Sequence, residues 1–154
     1  MMRTPLPNIE ALQRRYDDAV LATNGLGFPA KIHEFGEGQL TVTARLDRHV
    51  RPGGTIPGPE LVNLADGLAW LLLVARMSDG ADAYTTDLSA QFLRAVPPGE
   101  VTAVLNIERL GATRAVVSTV VSLTQQCERP IAHLVMGFAL RRAESGLEPT
   151  ASVP

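Results

Sequence analysis

The chain of 154 residues has a single cysteine, a single tryptophan and no hydrophobic run long enough to span a bilayer. Because Cys127 is alone, no disulfide can form within the chain, which favours a reducing compartment. The most apolar stretch, residues 61–75, is shorter than the ~20 residues that a transmembrane helix needs, and it contains Asn63 and Asp66. The sequence therefore predicts a buried core helix there and no membrane span.

Neither sign of charge is in excess, since 14 Lys and Arg residues stand against 16 Asp and Glu residues. A protein that binds nucleic acid or an anionic membrane presents a basic surface, so neither partner is predicted. The histidines His33, His49 and His133 are isolated, without metal ligands or triad partners at a recognisable spacing, so no metal site is predicted. The N-terminal residues MMRTPLPNIE lack the basic and then apolar layout of a secretion signal, and we expect a cytoplasmic protein.

The first helix is indicated by the helical spacing of Ile9, Leu12 and Tyr16 after Asn8, a good N-cap residue, with Gly25 as the stop. The pattern then changes to period two and predicts a β-hairpin that turns at residues 37–38 and continues to residue 46. Pro59 is typical of a helix start and predicts a second helix over residues 59–77. Four further strands, expected to form an antiparallel meander, are predicted over residues 84–95, 101–110, 114–126 and 131–142.

This order of elements predicts an α+β fold, in which an antiparallel sheet wraps around one long central helix and an extra helix lies at the N-terminus. The length fits one domain. In it, residues 1–25 form the N-terminal helix, residues 26–142 form the main unit, and residues 143–154, which are small and polar, form a flexible tail. The last two strands are apolar on both faces, so we expect one face to cover the helix and the other to meet another subunit.

Asp66 is a carboxylate within the apolar central helix. At 100° per residue it lies off the more polar edge of the helix, beside Trp70 and Leu73. Asn63, one turn before it, is its nearest polar neighbour and leaves a position at the boundary of the two stripes open. An unpaired buried carboxylate is costly, so such a group acquires partners or a raised pKa, and a tuned carboxylate is what general-base chemistry needs. The alternative is a structural role, in which Asp66 bonds to a nearby strand or to solvent. The residues alone leave both roles open.

The loop RPGGTIPG precedes this helix and is rich in glycine and proline. Gly53, Gly54 and Gly58 allow the backbone to approach a ligand closely, and the helix start offers free N–H groups with a partial positive charge. An acyl carbonyl could be polarised there. The alternative is a tight connection capped by proline.

The helix with LAD, the strand with TTDLSAQFLR, the turn PPGE and the strand RPIAHLVMGFAL together resemble the hot-dog-fold acyl-CoA thioesterases of the phenylacetate-pathway (PaaI-like) group. The resemblance covers about residues 26–142. The family's His-Gly-Gly motif falls on Pro57, Gly58 and Pro59. Its catalytic carboxylate falls on Asp66 and its water-assisting hydroxyl on Thr85.

The resemblance implies hydrolysis of an acyl-CoA thioester to the free acid and CoA. Asp66 would be general base or nucleophile, Thr85 would position the water, and the N–H groups of Gly58 and Glu60 would stabilise the oxyanion, because Pro59 has no N–H. No cofactor is implied beyond the CoA of the substrate. The substrate-binding residues would be Arg51, Gly54, Thr55, Asn63 and Trp70, with the acyl chain along Trp70 and Leu73.

The resemblance also implies a homodimer, expected to pair into a dimer of dimers, with each active site between two subunits. Two alternatives stay open. Because Pro57 and Pro59 depart from the family motif, the protein could bind an acyl-CoA without turning it over. A hot-dog hydratase or dehydratase would instead pair a histidine with Asp66, and His49 is the candidate.

Overall fold

The computed structural model describes residues 5–23 and 27–143. The first helix, α1 (Ile9–Tyr16), begins where the Asn8 side chain accepts a hydrogen bond from the Ala11 N–H at 2.8 Å, which confirms the predicted N-cap. It continues as one π-helical turn, Asp17–Leu21. The predicted stop at Gly25, the boundary between residues 25 and 26, and the predicted tail beyond residue 143 lie outside the described residues.

Six antiparallel strands form one sheet: β1 (Ala30–Phe35), β2 (Gln39–Leu46), β3 (Asp82–Phe92), β4 (Gly99–Leu110), β5 (Arg114–Leu123) and β6 (Pro130–Arg141). Their order across the sheet is β1-β2-β4-β5-β6-β3. The predicted hairpin of β1 and β2 is confirmed. The prediction of a four-strand meander was wrong for β3, which pairs with β6 at the far edge. The helix between β2 and β3 carries the chain across the sheet from the β2 side to the far edge. The place beside β2 is then occupied by β4.

The central helix, α2 (Gly58–Val74), lies against one face of the sheet, here called the inner face. Ten of its residues are buried, and the facing side chains of β4, β5 and β6, such as Leu105, Val117 and Met136, are at most 1% exposed. The predicted end at Met77 was too late. The N–H groups of Arg76 and Met77 bond three residues back, at 3.0 and 3.2 Å, so the chain there is a tighter turn.

Helix α1 covers the outer edge of β1. The side-chain amide of Gln13 donates to the Ala30 carbonyl and accepts from the Ile32 N–H, both at 2.9 Å, as a neighbouring strand would. The buried Tyr16 hydroxyl donates to the Phe28 carbonyl at 2.7 Å, and burial raises the pKa of Tyr16 to about 12. These contacts fix the N-terminal segment against the sheet, so that the π-helical turn lies beside α2.

The opposite, outer face of the sheet carries a stripe of partly exposed valines: Val104, Val116, Val120 and Val135. No described element of the chain covers this stripe. At the far edge, β3 is exposed along most of its length. Within the described ranges, no helix combines the length and the apolarity that crossing a membrane requires.

Candidate active site

Asp66 and Thr85 come together between α2 and β3. Thr85 Oγ1 donates a hydrogen bond of 2.5 Å to Asp66 Oδ1. Thr85 pairs with Phe138 on β6, and the register shifts by one residue between Thr85 and Asp87. Such a bulge often re-aims a strand side chain next to a site. Here Thr85 faces α2 while Asp87 lies over Gly137 on the outer face.

The Asp66 carboxylate is half-buried, and within the described part of the chain its Oδ2 has no hydrogen-bond partner. An oxygen of this kind can accept a proton from a water molecule, while Thr85 keeps an acceptor lone pair to hold that water. The pair therefore offers both functions that activation of a water requires.

A cleft of about 440 Å³ opens beside this pair. Asn63 and Trp70, both predicted to bind substrate, line it together with Val20 of the π-helical turn. Leu73, predicted to follow Trp70 along the acyl pocket, does not line the cleft and is fully buried. Leu73 comes three residues after Trp70, so at 100° per residue its side chain leaves the helix in a different direction from that of Trp70. That direction is toward the core.

Trp70 is half-buried and forms a wall of the cleft. Its indole N–H donates to Asp82 Oδ1 at 2.8 Å, and the guanidinium carbon of Arg15 lies 5.9 Å from the ring centroid. These two contacts fix the orientation of the ring. Nothing in the sequence indicated that Asp82 bonds to Trp70, because β3 and α2 come into contact only in the folded chain.

The start of α2 has one free backbone donor. Pro57 precedes the helix without a side-chain cap, and the N–H of Gly58 has no acceptor among the described residues. The Glu60 N–H, predicted as a second oxyanion donor, is already bonded to the Pro57 carbonyl at 3.1 Å. A Cβ at position 58 would lie 2.9 Å from Phe92 Cζ, so the Phe92 ring would have to shift to admit a larger residue. Phe92 itself is 50% exposed, at the end of the edge strand.

The structure does not bring Gly58 to Asp66 within one subunit. Eight residues of α-helix separate them, which is about 12 Å along the axis. A thioester carbonyl oxygen and its attacking water lie much closer together than that, within about 3 Å. The free N–H and the carboxylate of one chain therefore cannot act on the same thioester.

The remaining predicted ligand residues lie in the loop before α2 and away from the cleft. The Arg51 N–H donates to the Thr55 carbonyl at 2.8 Å, and the Gly54 N–H donates to the Arg51 carbonyl at 2.9 Å. Gly53 and Gly54 have φ values of 106° and 86°, in the region that glycine favours. This tight turn places Arg51, Gly54 and Thr55 near the start of α2 and not beside Asp66.

A polar cluster around the buried carboxylate of Glu60 holds the start of α2. The Glu60 carboxylate, 5% exposed as a residue, accepts hydrogen bonds from Arg48 Nε at 3.2 Å and contacts His49 Nδ1 at 3.0 Å. Arg48 lies 4.0 Å from the Phe28 ring centroid. His49 thus pairs with Glu60 and not with Asp66, so the pairing expected of a hydratase is not formed. The signal that sequence reasoning missed was a carboxylate in the first turn of an apolar helix.

Among the described residues, no three His, Cys, Asp or Glu side chains are grouped as a metal site requires. Residues 53–126, which include most of the loop, all of α2 and both Asp66 and Thr85, match the sequence model of the thioesterase superfamily. The chain has the hot-dog fold. The predicted fold class is thereby confirmed, whereas the narrower resemblance to the PaaI-like group stays a prediction.

Several solved hot-dog structures superpose on most of the chain. A thioesterase from Haemophilus influenzae gives a TM-score of 0.76 at 21% identity, covering 96% of this chain and 100% of the other. A mutant thioesterase from Pseudomonas aeruginosa gives 0.74 at 21% identity, covering 91% and 98%. A hypothetical thioesterase from Streptococcus pneumoniae, solved with coenzyme A, gives 0.69 at 18% identity, covering 90% and 100%. No curated protein matches this chain in sequence.

Proposed function

We propose that the protein hydrolyses an acyl-CoA thioester to the free acid and CoA, with Asp66 as the general base. The observation that carries the proposal is the bonded pair of Asp66 and Thr85 at the mouth of a largely apolar cleft. Asp66 Oδ2 takes a proton from a water held by the Thr85 hydroxyl, and that water attacks the thioester carbon. The C–S bond then breaks, and CoA leaves as the thiolate.

We further propose that each site is shared by two subunits. The carbonyl oxygen of the thioester accepts a hydrogen bond from the Gly58 N–H of one subunit while Asp66 of the other activates the water. The separation of about 12 Å between these residues on one helix supports this division, because it is too long for both residues of one chain to act on the same thioester.

The exposed edge strand β3 is the proposed dimer contact. Its outer edge presents unpaired backbone N–H and C=O groups. It also exposes the large apolar side chains of Tyr84, Leu88 and Phe92. Natural proteins rarely leave such an edge open, because it pairs readily with another strand. Pairing with β3 of a second copy would cover it. The valine stripe on the outer face is the proposed contact between two such dimers.

Coenzyme A as the thiol part of the substrate is supported by the Streptococcus pneumoniae hot-dog structure that was solved with coenzyme A. The apolar lining of the cleft supports an acyl group as the part that lies beside Asp66.

The test is release of free thiol from a panel of acyl-CoA thioesters by Asp66→Asn. Because the amide cannot accept the proton, we expect kcat/KM to fall by about 10²–10⁴-fold. Asp79→Asn is the matched control, since Asp79 is exposed in the turn after α2. Full activity of a folded Asp66→Asn protein would contradict the proposal.

A second candidate function is binding of an acyl-CoA without turnover. It is favoured by Pro59, which has no N–H, and by the Glu60 N–H being bonded to Pro57, so that Gly58 alone can polarise the carbonyl. This function predicts saturable binding to an intact thioester and little effect of Asp66→Asn on affinity.

A further inference from the structure

The cleft beside Asp66 is closed on one side by the π-helical turn Asp17–Leu21. Its wider winding is visible in the bond from the Ala22 N–H to the Asp17 carbonyl, five residues back, at 3.1 Å. Thr23 Oγ1 also bonds to the Ala19 carbonyl at 2.7 Å. The turn carries Ala19 and Val20 to the cleft, where Thr23 lies with them. Single π-turns of this kind are frequent at functional sites.

Val20 fills the space beside Gly67 of α2. A Cβ built on Gly67 would lie 2.7 Å from Val20 Cγ1, closer than real Cβ contacts come. Glycine in the middle of a helix costs about 1 kcal/mol relative to alanine, so this position needs a packing reason. The packing reason is that glycine leaves room for the Val20 methyl group. Because Gly67 follows Asp66 directly, Val20 is anchored next to the proposed base.

The apolar part of the cleft lies between Val20 and the rings of Trp70, Tyr84 and Phe138. Trp70 is held by Asp82 and Arg15, and Phe138 is a buried side chain of the sheet. The polar part of the cleft contains Asp66 and Thr85. A thioester that places its carbonyl carbon at the polar part must therefore direct its acyl group between Val20 and the rings.

We infer that Val20, seated on Gly67, is the residue that sets the size of the acyl group. This inference deepens the proposed function and rests on it for the identity of the ligand. The rings of Trp70 and Phe138 are fixed by hydrogen bonding or by the core, whereas Val20 comes from a short turn outside the sheet. One methylene group more or less in an apolar pocket changes discrimination by about 10–200-fold. A change of one or two methyl groups at position 20 is therefore large enough to alter acyl preference.

The experiment compares Val20→Ala, Val20→Ile, Gly67→Ala and the double variant Val20→Ala/Gly67→Ala. Two readouts are taken with a short and a longer straight-chain acyl group. The first is kcat/KM for the acyl-CoA thioesters. The second is the Kd of the corresponding thioethers of CoA, which cannot be hydrolysed, by calorimetry. Ile9→Ala is the control, because Ile9 is exposed on α1 and does not line the cleft.

We expect Val20→Ala to shift the ratio of long to short acyl groups about 10-fold toward the longer group, and Val20→Ile to shift it in the opposite direction. Alanine at position 67 refills the space that Val20→Ala opens, so the double variant should return toward the wild-type ratio. Ile9→Ala should leave the ratio unchanged.

The thioether affinities separate this inference from the proposed function. If they shift as expected while no thioester is hydrolysed by any form of the protein, the inference holds and the hydrolase proposal fails. If hydrolysis occurs but the ratios for Val20→Ala and Val20→Ile equal that of wild type in both readouts, the inference is overturned. Val20→Ile decides the matter alone where Val20→Ala does not fold.

Discussion

Thr85 Oγ1 donates to Asp66 Oδ1 at 2.5 Å, a bond that joins the middle of the central helix to the edge strand of the sheet. Nineteen positions of sequence separate the two residues, and the bulge after Thr85 is what turns the hydroxyl toward the helix. One oxygen of the carboxylate is thus fixed, while the other faces the cleft.

Replacing Thr85 tests whether its hydroxyl serves the reaction or only the fold. Thr85→Val has the same shape without the hydroxyl, so it leaves Asp66 Oδ1 without its donor and the water without its holder. We expect kcat to fall about 10–100-fold, or about 1.4–2.7 kcal/mol, which is the size of a lost hydrogen bond to a charged group. Thr85→Ser, which keeps the hydroxyl, should stay close to wild type. Equal rates for the valine and serine variants would contradict this role.

The backbone N–H of Gly58 can be tested with two substitutions that differ in one group. Gly58→Ala and Gly58→Pro both add a Cβ that meets the Phe92 ring, but proline alone removes the N–H. Proline is tolerated at the first position of a helix, so both variants should fold. We expect Gly58→Pro to lower kcat about 10²-fold below Gly58→Ala, as loss of an oxyanion donor does. Indistinguishable kcat values for the two would remove Gly58 from the mechanism.

Tyr16 predicts how stability depends on alkaline pH. Burial raises the pKa of Tyr16 to about 12 in the folded protein, whereas the unfolded value is about 10. Below pH 10 the hydroxyl is protonated in both states. As the pH rises from 10 toward 12, only the unfolded state releases the proton, so the free energy of unfolding should decrease.

Urea unfolding of wild type and Tyr16→Phe at a series of pH values measures this effect. The variant should lack the alkaline decrease that Tyr16 causes. At neutral pH it should be less stable by about 1–2 kcal/mol, because the buried Phe28 carbonyl loses its donor. The same alkaline slope in both proteins would show that Tyr16 does not titrate as its burial implies.

The sequence predicted the local elements better than their partners. Periodicity in residues 8–16, 39–46 and 58–74 reports which side of an element is buried, and that information is local. The pairing of β3 with β6 depends instead on the edge of the sheet at which α2 ends. That position is set by the arrangement of the whole sheet. Adjacent strands usually pair, which is why a meander was expected.

The candidate site was predictable in the same unequal way. Asp66 was recognisable as a carboxylate in an apolar helix, and Thr85 followed from a resemblance. Val20 and Asp82 had no signal, because each reaches α2 from a different element and only through tertiary contact. The Glu60 N–H was misjudged, since a free helix-start donor was expected where the first turn already uses it.

In the proposed dimer, Asp66 of one subunit and Gly58 of the other share each site. This arrangement is tested most directly by mixing unfolded Asp66→Asn and Gly58→Pro chains and refolding them together. Acyl-CoA hydrolysis by the refolded mixture is then measured. Each mixed dimer would hold one site with both residues intact, so about a quarter of wild-type activity should return, given random pairing in a two-fold symmetric dimer. Activity no higher than that of the two variants alone, from mixed dimers verified by mass, would contradict the account.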